Sequence, residues 1–426
     1  MLNRKNAPHI HDAVDFSLTL HSPQHFKLDN GVPVYAINAG TQDVVSLELV
    51  FYAGNWYEDQ NVIAASANFL IKNGTSKKTA YEINEDVEFY GAHFNRACYN
   101  ETASISLHCL SRHLDDLLPL ITEVITDAVY PQEEIDIYRQ NQKQRLKVNL
   151  KKCDFVANRL IDEYLFGINH PYGKYSNEAD YDKITREQLI AFYQRYYLNG
   201  KLVVFAGGRL PANFEYLLNQ ALGHLPFNKQ EQPLVSHPIT PVAQKKFKII
   251  NDNESVQGAI RIARPFPNRH HPHFVPVQVL NNIFGGFFGS RLMSNIREDK
   301  GYTYGIHSYL QNHLQQCAWM ISTEAGRDVC EATIREVYNE MQILRNEVVD
   351  EEELNLVRNY MLGTILGDLD GPFQLISRWK NYILNGIDES YFYNTIQIIK
   401  TVKAEELNEL AKTYLNPDEF YELLVI

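Results

Sequence analysis

The sequence predicts an α+β protein made of two homologous α/β half-domains. Segments with the alternating polarity of strands are interleaved with segments that have the apolar stripe of helices. A proline-rich segment lies near the middle of the 426-residue chain, and the pattern of elements before it returns after it. The chain is also too long for a single hydrophobic core, and its length suits two domains of about 200 residues each.

Composition narrows the classes of partner and compartment. Apolar residues make up 45% of the chain, which is enough for a large core, and the formal net charge of −12 argues against a nucleic acid or an anionic membrane as partner. Five scattered cysteines without a Cys-x-x-Cys pair are typical of a reducing compartment. Residues 1–16 lack a signal or transit pattern, and no apolar run reaches 18 residues. We therefore expect a cytoplasmic protein with no membrane contact.

The first half reads as an extended lead-in over residues 1–24 followed by strands and helices. The pair Asn30-Gly31 predicts a hairpin turn between two strands within residues 26–37. Thr185, followed three residues later by Gln188, predicts a capped helix over residues 185–197. The other predicted strands are 44–52, 94–98, 103–109 and 201–206, and the other predicted helices are 61–72, 80–90, 114–129 and 133–152.

A change in composition marks the boundary between the halves. Residues 226–241 hold four prolines and show little periodicity, which is typical of a linker. We predict a first half-domain over residues 1–227, a linker over residues 228–243 and a second half-domain over residues 244–426.

The second half repeats the first in order and in local sequence. The aligned pairs of segments are 44–52 with 256–264, 61–72 with 273–284, 185–189 with 403–407, and 201–208 with 419–426. Self-similarity at a half-chain period indicates a duplicated architecture.

The most informative stretch lies in the second half. An apolar helix runs into Gly285-Gly286, a second helix closes at Lys300-Gly301, and a strand follows over residues 302–308. This order leaves Arg297 and Tyr304 near the exit from helix to strand, where both can face one cavity.

This stretch resembles the second-half signature of the insulinase/pitrilysin zinc metallopeptidases, the family that includes mitochondrial processing peptidase. Arg297 and Tyr304 match the frame Ile-Arg-x-x-x-Gly-x-x-Tyr, and the internal repeat extends the resemblance over nearly the whole chain. The resemblance implies a clam shell of two half-domains, each a mostly antiparallel sheet packed with helices. It also implies that Arg297 and Tyr304 bind the peptide substrate opposite the zinc.

The zinc motif of active family members has no counterpart in the first half. In those members one helix carries His-x-x-Glu-His, whose histidines bind zinc and whose Glu is the general base. Alignment on Gly74 places Ala65, Asn68 and Phe69 at these three positions. Methyl and phenyl groups offer no lone pair, and a carboxamide is not a base at neutral pH. We interpret Ala65 and Phe69 as core-packing residues.

The third zinc ligand of the family is also absent. It is a Glu on the next long helix, and the alignment places Arg145 at the ligand position and Tyr138 at the position of a supporting Glu. No acidic residue falls between Asp136 and Asp154. A cation at a ligand position opposes zinc electrostatically. The resemblance therefore implies a non-catalytic member that holds neither metal nor cofactor in this chain.

Three other segments are weaker candidates for a site. The tract His270-His271-Pro272-His273 is rich in histidine, but it precedes a helix, where short polar residues are ordinary. Asp368-Leu369-Asp370-Gly371 lacks the later ligands of a calcium loop and predicts a turn before Pro372. In active relatives a substrate strand adds to an exposed edge, which here is residues 93–98, and Arg96 departs from the family pattern there.

The leading hypothesis from this pattern is a non-catalytic subunit of a zinc-dependent processing-type peptidase. In two-chain members of the family, one chain carries the zinc and its partner keeps only the Arg/Tyr pair. The expected partners are a zinc-bearing homologous peptidase subunit, which forms a heterodimer with this chain, and a peptide substrate. Two alternatives stay open: a structural or binding protein of the same fold without a role in proteolysis, and a self-sufficient metallopeptidase.

Overall fold

The structure is a computed structural model that describes residues 12–228 and 235–426. The start of the predicted lead-in, residues 1–11, and the centre of the predicted linker, residues 229–234, lie outside the described residues. The chain divides into two compact units. The first unit contains residues 22–243 and 371–385, and the second contains residues 12–21, 244–370 and 386–426.

A six-stranded sheet forms the centre of the first unit. Its strands are β1 (Gln24–Lys27), β2 (Pro33–Asn38), β3 (Val44–Phe51), β4 (His93–Cys98), β5 (Ala103–Leu110) and β6 (Leu202–Gly208), in the spatial order β1-β2-β6-β3-β5-β4. Only the pair β2–β6 is parallel. The predicted hairpin at Asn30-Gly31 joins β1 to β2, and Gly31 takes the positive φ of 83° that the turn requires.

The first unit also contains the helices before residue 223, and most of them pack on the apolar side of this sheet. They are α1 (Ile63–Leu70), α2 (Ala80–Phe89), α3 (Leu114–Thr126), α4 (Gln132–Asn149), α5 (Cys153–Phe166), α6 (Glu178–Asp182), α7 (Arg186–Tyr193) and α8 (Phe214–Leu222). In β3 the buried residues Val45, Leu47 and Leu49 alternate with partly exposed ones, because successive side chains of a strand point to opposite faces. The core of the first unit therefore lies between the sheet and these helices.

The second unit is built around a five-stranded sheet. Its strands are β7 (Lys246–Ile249), β8 (Gln257–Phe266), β9 (Thr303–Asn312), β10 (Cys317–Gly326) and β11 (Tyr421–Val425), in the spatial order β7-β11-β8-β10-β9. The remaining helices of the chain are α9 (Phe274–Asn281), α10 (Cys330–Asn346), α11 (Glu351–Gly367), α12 (Pro372–Leu384), α13 (Glu389–Thr401) and α14 (Ala404–Tyr414).

The two sheets have the same topology. In the order β2-β6-β3-β5-β4 the first pair is parallel and the others are antiparallel, and the order β7-β11-β8-β10-β9 has the same sequence of pairings. The repeat aligned β3 with β8 and β6 with β11, and these strands take equivalent places. The predicted duplication into two mostly antiparallel α/β halves is confirmed.

Helix α12 lies in the second half of the sequence, but in the structure it belongs to the first unit. It packs on β2 and β6, and a side chain at Gly207 would come within 2.9 Å of the Pro372 carbonyl oxygen. Its Lys380 ammonium lies 2.7 Å and 3.0 Å from the two carboxylate oxygens of Glu48 in β3. The sequence repeat gives no signal for this exchange, because it assigns every segment after the linker to the second half.

Within the described part of the chain, no helix combines the length and the apolar character needed to cross a membrane.

We expect Thr185→Ala to lower the free energy of unfolding by about 1 kcal/mol, because the Thr185 side chain accepts from the Gln188 amide at the start of α7 and completes a capping box. Urea unfolding followed by circular dichroism measures the change. Thr185→Ser keeps the hydroxyl and is the matched control. Equal losses for the alanine and serine variants would contradict the role of the cap.

Candidate functional site

Helix α1 carries the three positions aligned with the zinc motif. Ala65 and Phe69 lie on its exposed side, with Phe69 39% exposed, so the interpretation of these two residues as core packing is wrong. Asn68 is buried and its carboxamide donates to the Ser104 carbonyl at 3.3 Å. The core side of α1 consists of Ile63, Ala64, Ala67 and Leu70. A pair spaced i, i+4 at positions 65 and 69 is therefore turned outward.

A guanidinium group lies against the outward side of α1. The Arg96 guanidinium carbon is 4.3 Å from the centroid of the Phe69 ring, and Arg96 Nε donates to the Phe69 carbonyl. Burial lowers the pKa of Arg96 to about 10, so the group stays charged at neutral pH. A metal ion beside Phe69 would meet this fixed positive charge.

Tyr138 connects α4 to this arrangement. The centroids of its ring and the Phe69 ring are 4.9 Å apart, and its hydroxyl oxygen lies 3.3 Å from that of Ser66. Burial raises the pKa of Tyr138 well above its usual range, whereas the contact with Ser66 and the charge of Arg145 oppose the rise. Arg145 itself is exposed. The fold thus brings Phe69 of α1 and Tyr138 of α4 into contact, so these two aligned positions hold aromatic rings and a hydroxyl.

These side chains do not fit a zinc ion, which takes nitrogen, sulfur or carboxylate oxygen ligands. Across residues 12–228 and 235–426, no three His, Cys, Asp or Glu side chains form a cluster that could hold a metal. In the histidine tract, His273 Nδ1 lies 2.9 Å from the Tyr414 hydroxyl, and His271 Nδ1 accepts from the His273 amide. The segment before Pro372 is a turn between α11 and α12, as the sequence predicts.

A buried ion pair fixes the start of α1. The Glu58 side chain is 1% exposed, and the Lys174 ammonium lies 2.7 Å from its Oε1. Its Oε2 accepts from the Ala64 amide at 2.9 Å. Burial raises the pKa of Glu58, and the charge of Lys174 opposes the rise. The carboxylate satisfies a backbone amide in the first turn and so helps to set the orientation of α1.

Aromatic side chains pack around Trp56, in the segment just before α1. The Trp56 indole nitrogen donates to the Val235 carbonyl at 3.1 Å, and His237 Nε2 lies 2.9 Å from the Trp56 carbonyl. The His170 ring centroid is 5.6 Å from that of Trp56, and His170 Nδ1 accepts from the Tyr172 amide at 3.1 Å. Burial lowers the pKa of His170 to about 4, and the nearby His237 adds to the effect. His170 is therefore neutral at neutral pH.

In the second unit, Arg297 and Tyr304 lie on consecutive elements. Arg297 belongs to the π-helical turn Met293–Asp299, and Tyr304 is near the start of β9. Arg297 Nε donates to the Tyr304 carbonyl at 3.0 Å, and the guanidinium carbon lies 4.6 Å from the centroid of the Phe288 ring. Gly301 makes the connection with a φ of 67°. Tyr304 is 92% exposed, so its hydroxyl is accessible to a ligand.

Strands β4 and β9 occupy equivalent places at the edge of their sheets. An edge strand has backbone groups without a strand partner and can accept an extended peptide. Arg96 lies within β4, and its guanidinium is turned toward Phe69.

The sequence did not predict two of these contacts. The stacking of Arg96 on Phe69 joins residues 27 positions apart, and the stacking of Arg297 on Phe288 joins the π-helical turn to the glycine-rich segment that precedes it. A signal for the second exists in Gly286-Phe287-Phe288-Gly289, because paired aromatics between glycines are unusual for a solvated turn.

The duplicated units, with one set of aligned positions on α1 and α4 and another around β9, define a protein of the insulinase-type peptidase class. A family model described as "Insulinase (Peptidase family M16)" matches residues 34–170, and a model described as "Peptidase M16 inactive domain" matches residues 183–361. The chain belongs to this family, and its first half lacks the His-x-x-Glu-His motif.

Similar proteins cover nearly the whole chain. The chain is 21% identical to the "uncharacterized zinc protease YmxG" of Bacillus subtilis over 411 residues, which span 95% of this chain and 98% of the relative. It is also 21% identical to the "non-peptidase homolog YmxG" of Helicobacter pylori, over 86% of this chain and 85% of the relative. A crystal structure of a peptidase M16 inactive domain from Pseudomonas fluorescens has a TM-score of 0.84 at 23% identity, and the match covers 95% of this chain and 98% of that chain.

We expect the double variant Ala65→His/Phe69→His to bind Co²⁺ about tenfold or more tightly than Ala65→His alone. Both positions are exposed on one face of α1, so two imidazoles can share one ion there, and removal of Phe69 also removes the platform for Arg96. Titration with Co²⁺, followed by visible absorption, measures the affinities. Equal affinities of the double and single variants would contradict the orientation of this face.

We expect acid to destabilise the protein through His170. In the unfolded chain an imidazole titrates near pH 6.5, whereas burial holds the pKa of His170 at about 4 in the fold. Between these pH values the unfolded state binds the extra proton. The stabilising contribution is therefore complete above about pH 6.5 and declines as the pH falls toward 4.

Urea midpoints at pH 7 and pH 5 test this expectation. The difference between the two midpoints should be smaller for His170→Asn than for the wild type. His224→Asn removes an exposed histidine and should leave the difference unchanged. If the difference between the two midpoints were as large in His170→Asn as in the wild type, His170 would not be the cause of the destabilisation by acid.

Proposed function

We propose that this chain is a non-catalytic subunit of a zinc-dependent peptidase of the insulinase/processing-peptidase type, in a heterodimer with a zinc-bearing homologue. The observation that carries the proposal is the contrast between the two halves. The aligned zinc positions hold Ala65, Phe69 and Arg145, whereas the second half keeps Arg297 next to an exposed Tyr304. The partner would supply the zinc and the general base, and this chain would complete the chamber and bind the peptide.

The two retained side chains suit contacts with a peptide backbone. Arg297 uses Nε for the Tyr304 carbonyl, and its Nη1 is 3.8 Å from the Glu298 carboxylate, beyond a normal hydrogen bond. Its terminal nitrogens can therefore donate to peptide carbonyls. The Tyr304 hydroxyl would donate to the carbonyl under attack, or to the oxyanion that forms from it.

Our proposal includes a cytoplasmic location. It is supported by the five cysteines, none of which forms a disulfide bond: Cys109, Cys153, Cys317 and Cys330 are buried, and Cys98 is partly buried. Thiols in this state are typical of a reducing compartment.

A second candidate function is a structural or binding role without proteolysis. It is favoured by the name of the Helicobacter pylori relative, a non-peptidase homolog. The two proposals differ in what Arg297 and Tyr304 do: in the first they act on the substrate, and in the second they are surface residues.

The test mixes this chain with a homologue from the same genome that carries His-x-x-Glu-His, and measures cleavage of a quenched fluorescent peptide library. We expect cleavage by the mixture to exceed the sum of the separate chains. We expect Arg297→Ala and Tyr304→Phe to remove the gain, with a loss of about 10²-fold for a donor to the oxyanion.

Arg335→Ala and Tyr393→Phe are the matched controls, because both side chains are exposed and lie on other elements of the second unit, α10 and α13. They should leave the gain intact. A gain that survives Arg297→Ala and Tyr304→Phe, or no gain with any such homologue, would favour the structural role.

A further inference from the structure

The outward side of α1 is bordered by positive charge. The Arg96 guanidinium stacks on the Phe69 ring, and the Tyr138 ring packs against Phe69 from α4. Arg145 lies seven residues after Tyr138 and therefore on the same face of α4, and its charge acts on the Tyr138 hydroxyl. Burial lowers the pKa of Lys72, which follows α1, and the charge of Arg96 adds to this effect. A group of three cations thus lies here, in a chain whose formal net charge is −12.

None of these cations has a carboxylate partner among the residues that the structure describes. Arg96 and Arg145 form no ion pair there, and the Lys72 ammonium donates to the Asn84 carboxamide oxygen at 3.0 Å. The exposed carboxylate of Glu88 acts on Lys72 through its charge, without an ion-pair contact. Burial of a charge is costly unless an opposite charge compensates for it, so an anion bound here would stabilise the group.

The donors that remain on Arg96 define the kind of anion. Its Nε donates to the Phe69 carbonyl, and the Phe69 ring lies 4.3 Å from the guanidinium carbon. Within the described residues, its two terminal nitrogens donate no hydrogen bond. A pair of parallel N–H donors matches the two oxygens of a carboxylate. The side chains that do not fit a zinc ion are therefore suited to a carboxylate.

The position of Arg96 on the edge strand β4 indicates where the carboxylate would come from. In the register Arg96 is opposite Ile105, which is buried in the core, so both side chains lie on the face that the helices cover. A peptide strand that pairs with the outer side of β4 would place one of its side chains directly opposite Arg96, on the same face and with the two Cβ atoms about 5 Å apart. Only one strand spacing separates the two, so an aspartate or glutamate side chain can reach the guanidinium.

We propose that the edge strand β4 and the outward side of α1 form a site for an acidic side chain of an extended peptide. Arg96 binds the carboxylate, and Lys72 and Arg145 add positive charge around it. The inference rests on the proposed peptide-binding function and names the class of side chain that the first unit selects.

The test uses peptides labelled at the N-terminus with a neutral fluorophore, and binding to the full chain is followed by fluorescence polarisation, alone and with the zinc-bearing homologue. The host peptide is Thr-Val-Thr-Xaa-Thr-Val-Thr with an amidated C-terminus and with Xaa as Glu, Gln or Lys. We expect the Glu peptide to bind about fivefold more tightly than the Gln peptide, and the Lys peptide to bind most weakly. The net charge of the chain repels an acidic peptide at long range, so this preference requires a local site.

A fourth peptide separates the two sources of a carboxylate. It carries Gln at Xaa and a free C-terminal carboxylate instead of the amide. We expect its affinity to lie within about twofold of the amidated Gln peptide, because the site takes a side chain from the middle of a paired strand. A gain for this peptide without a gain for the Glu peptide would show that the site binds a chain terminus, and the proposed side-chain specificity would be wrong.

Variants of this chain assign the preference to Arg96. Arg96→Gln should reduce the preference for Glu over Gln to less than about twofold, and Arg96→Lys, which keeps the charge, should retain part of it. Arg195→Gln is the matched control, because it removes an exposed arginine that stacks on Tyr196 in another element of the first unit. It should leave the preference intact. Circular dichroism confirms that each variant is folded.

The outcomes separate this inference from the proposed function. If the Glu and Gln peptides bind equally to the wild type, or folded Arg96→Gln keeps the preference, the carboxylate site is wrong while peptide binding stands. If folded Arg96→Lys loses the preference as completely as Arg96→Gln, packing rather than charge explains it, and the site is again wrong. If no peptide binds to the chain or to the mixture, the site and the peptide-binding function both fail.

Discussion

The stacking of the Arg96 guanidinium on the Phe69 ring determines which ligands the outward face of α1 can bind. The two outward positions of α1 have the i, i+4 geometry that a pair of metal-binding histidines needs on an exposed face. A phenyl group and a methyl group stand there, and a cation that remains protonated at neutral pH is packed against the phenyl. Tyr138 closes the arrangement from α4. Positive charge and aromatic surface thus replace ligands, and the helix keeps its place through Glu58 and Lys174.

The duplication shows that this loss is local. Both sheets keep the same order of strands and the same single parallel pair, so the scaffold of the first half is intact around its altered side chains. In the second half, Arg297 is positioned by a π-helical turn that is followed by a glycine with positive φ. Family membership describes the scaffold, whereas the chemistry follows from a few side chains on it.

Much of the fold could be predicted from the sequence because the decisive signals are local. Asn30-Gly31 forms its hairpin, and Thr185 with Gln188 forms its capping box. Prediction from the sequence failed where the position of an element depends on contacts with residues that are distant along the chain. Helix α1 is apolar on nearly every side, so its periodicity does not distinguish the core face from the face of Ala65 and Phe69. The strand Cys317–Gly326 was not predicted at all, although it is the central partner of β8 and β9.

The placement of α12 affects how the chain reaches its native state. The first unit is complete only when residues 371–385 are present, roughly 140 residues after the main body of that unit ends at residue 243. At ribosomal speeds this interval lasts on the order of ten seconds. During synthesis, the face of β2 and β6 that α12 covers would therefore stay exposed to solvent until residues 371–385 have been made.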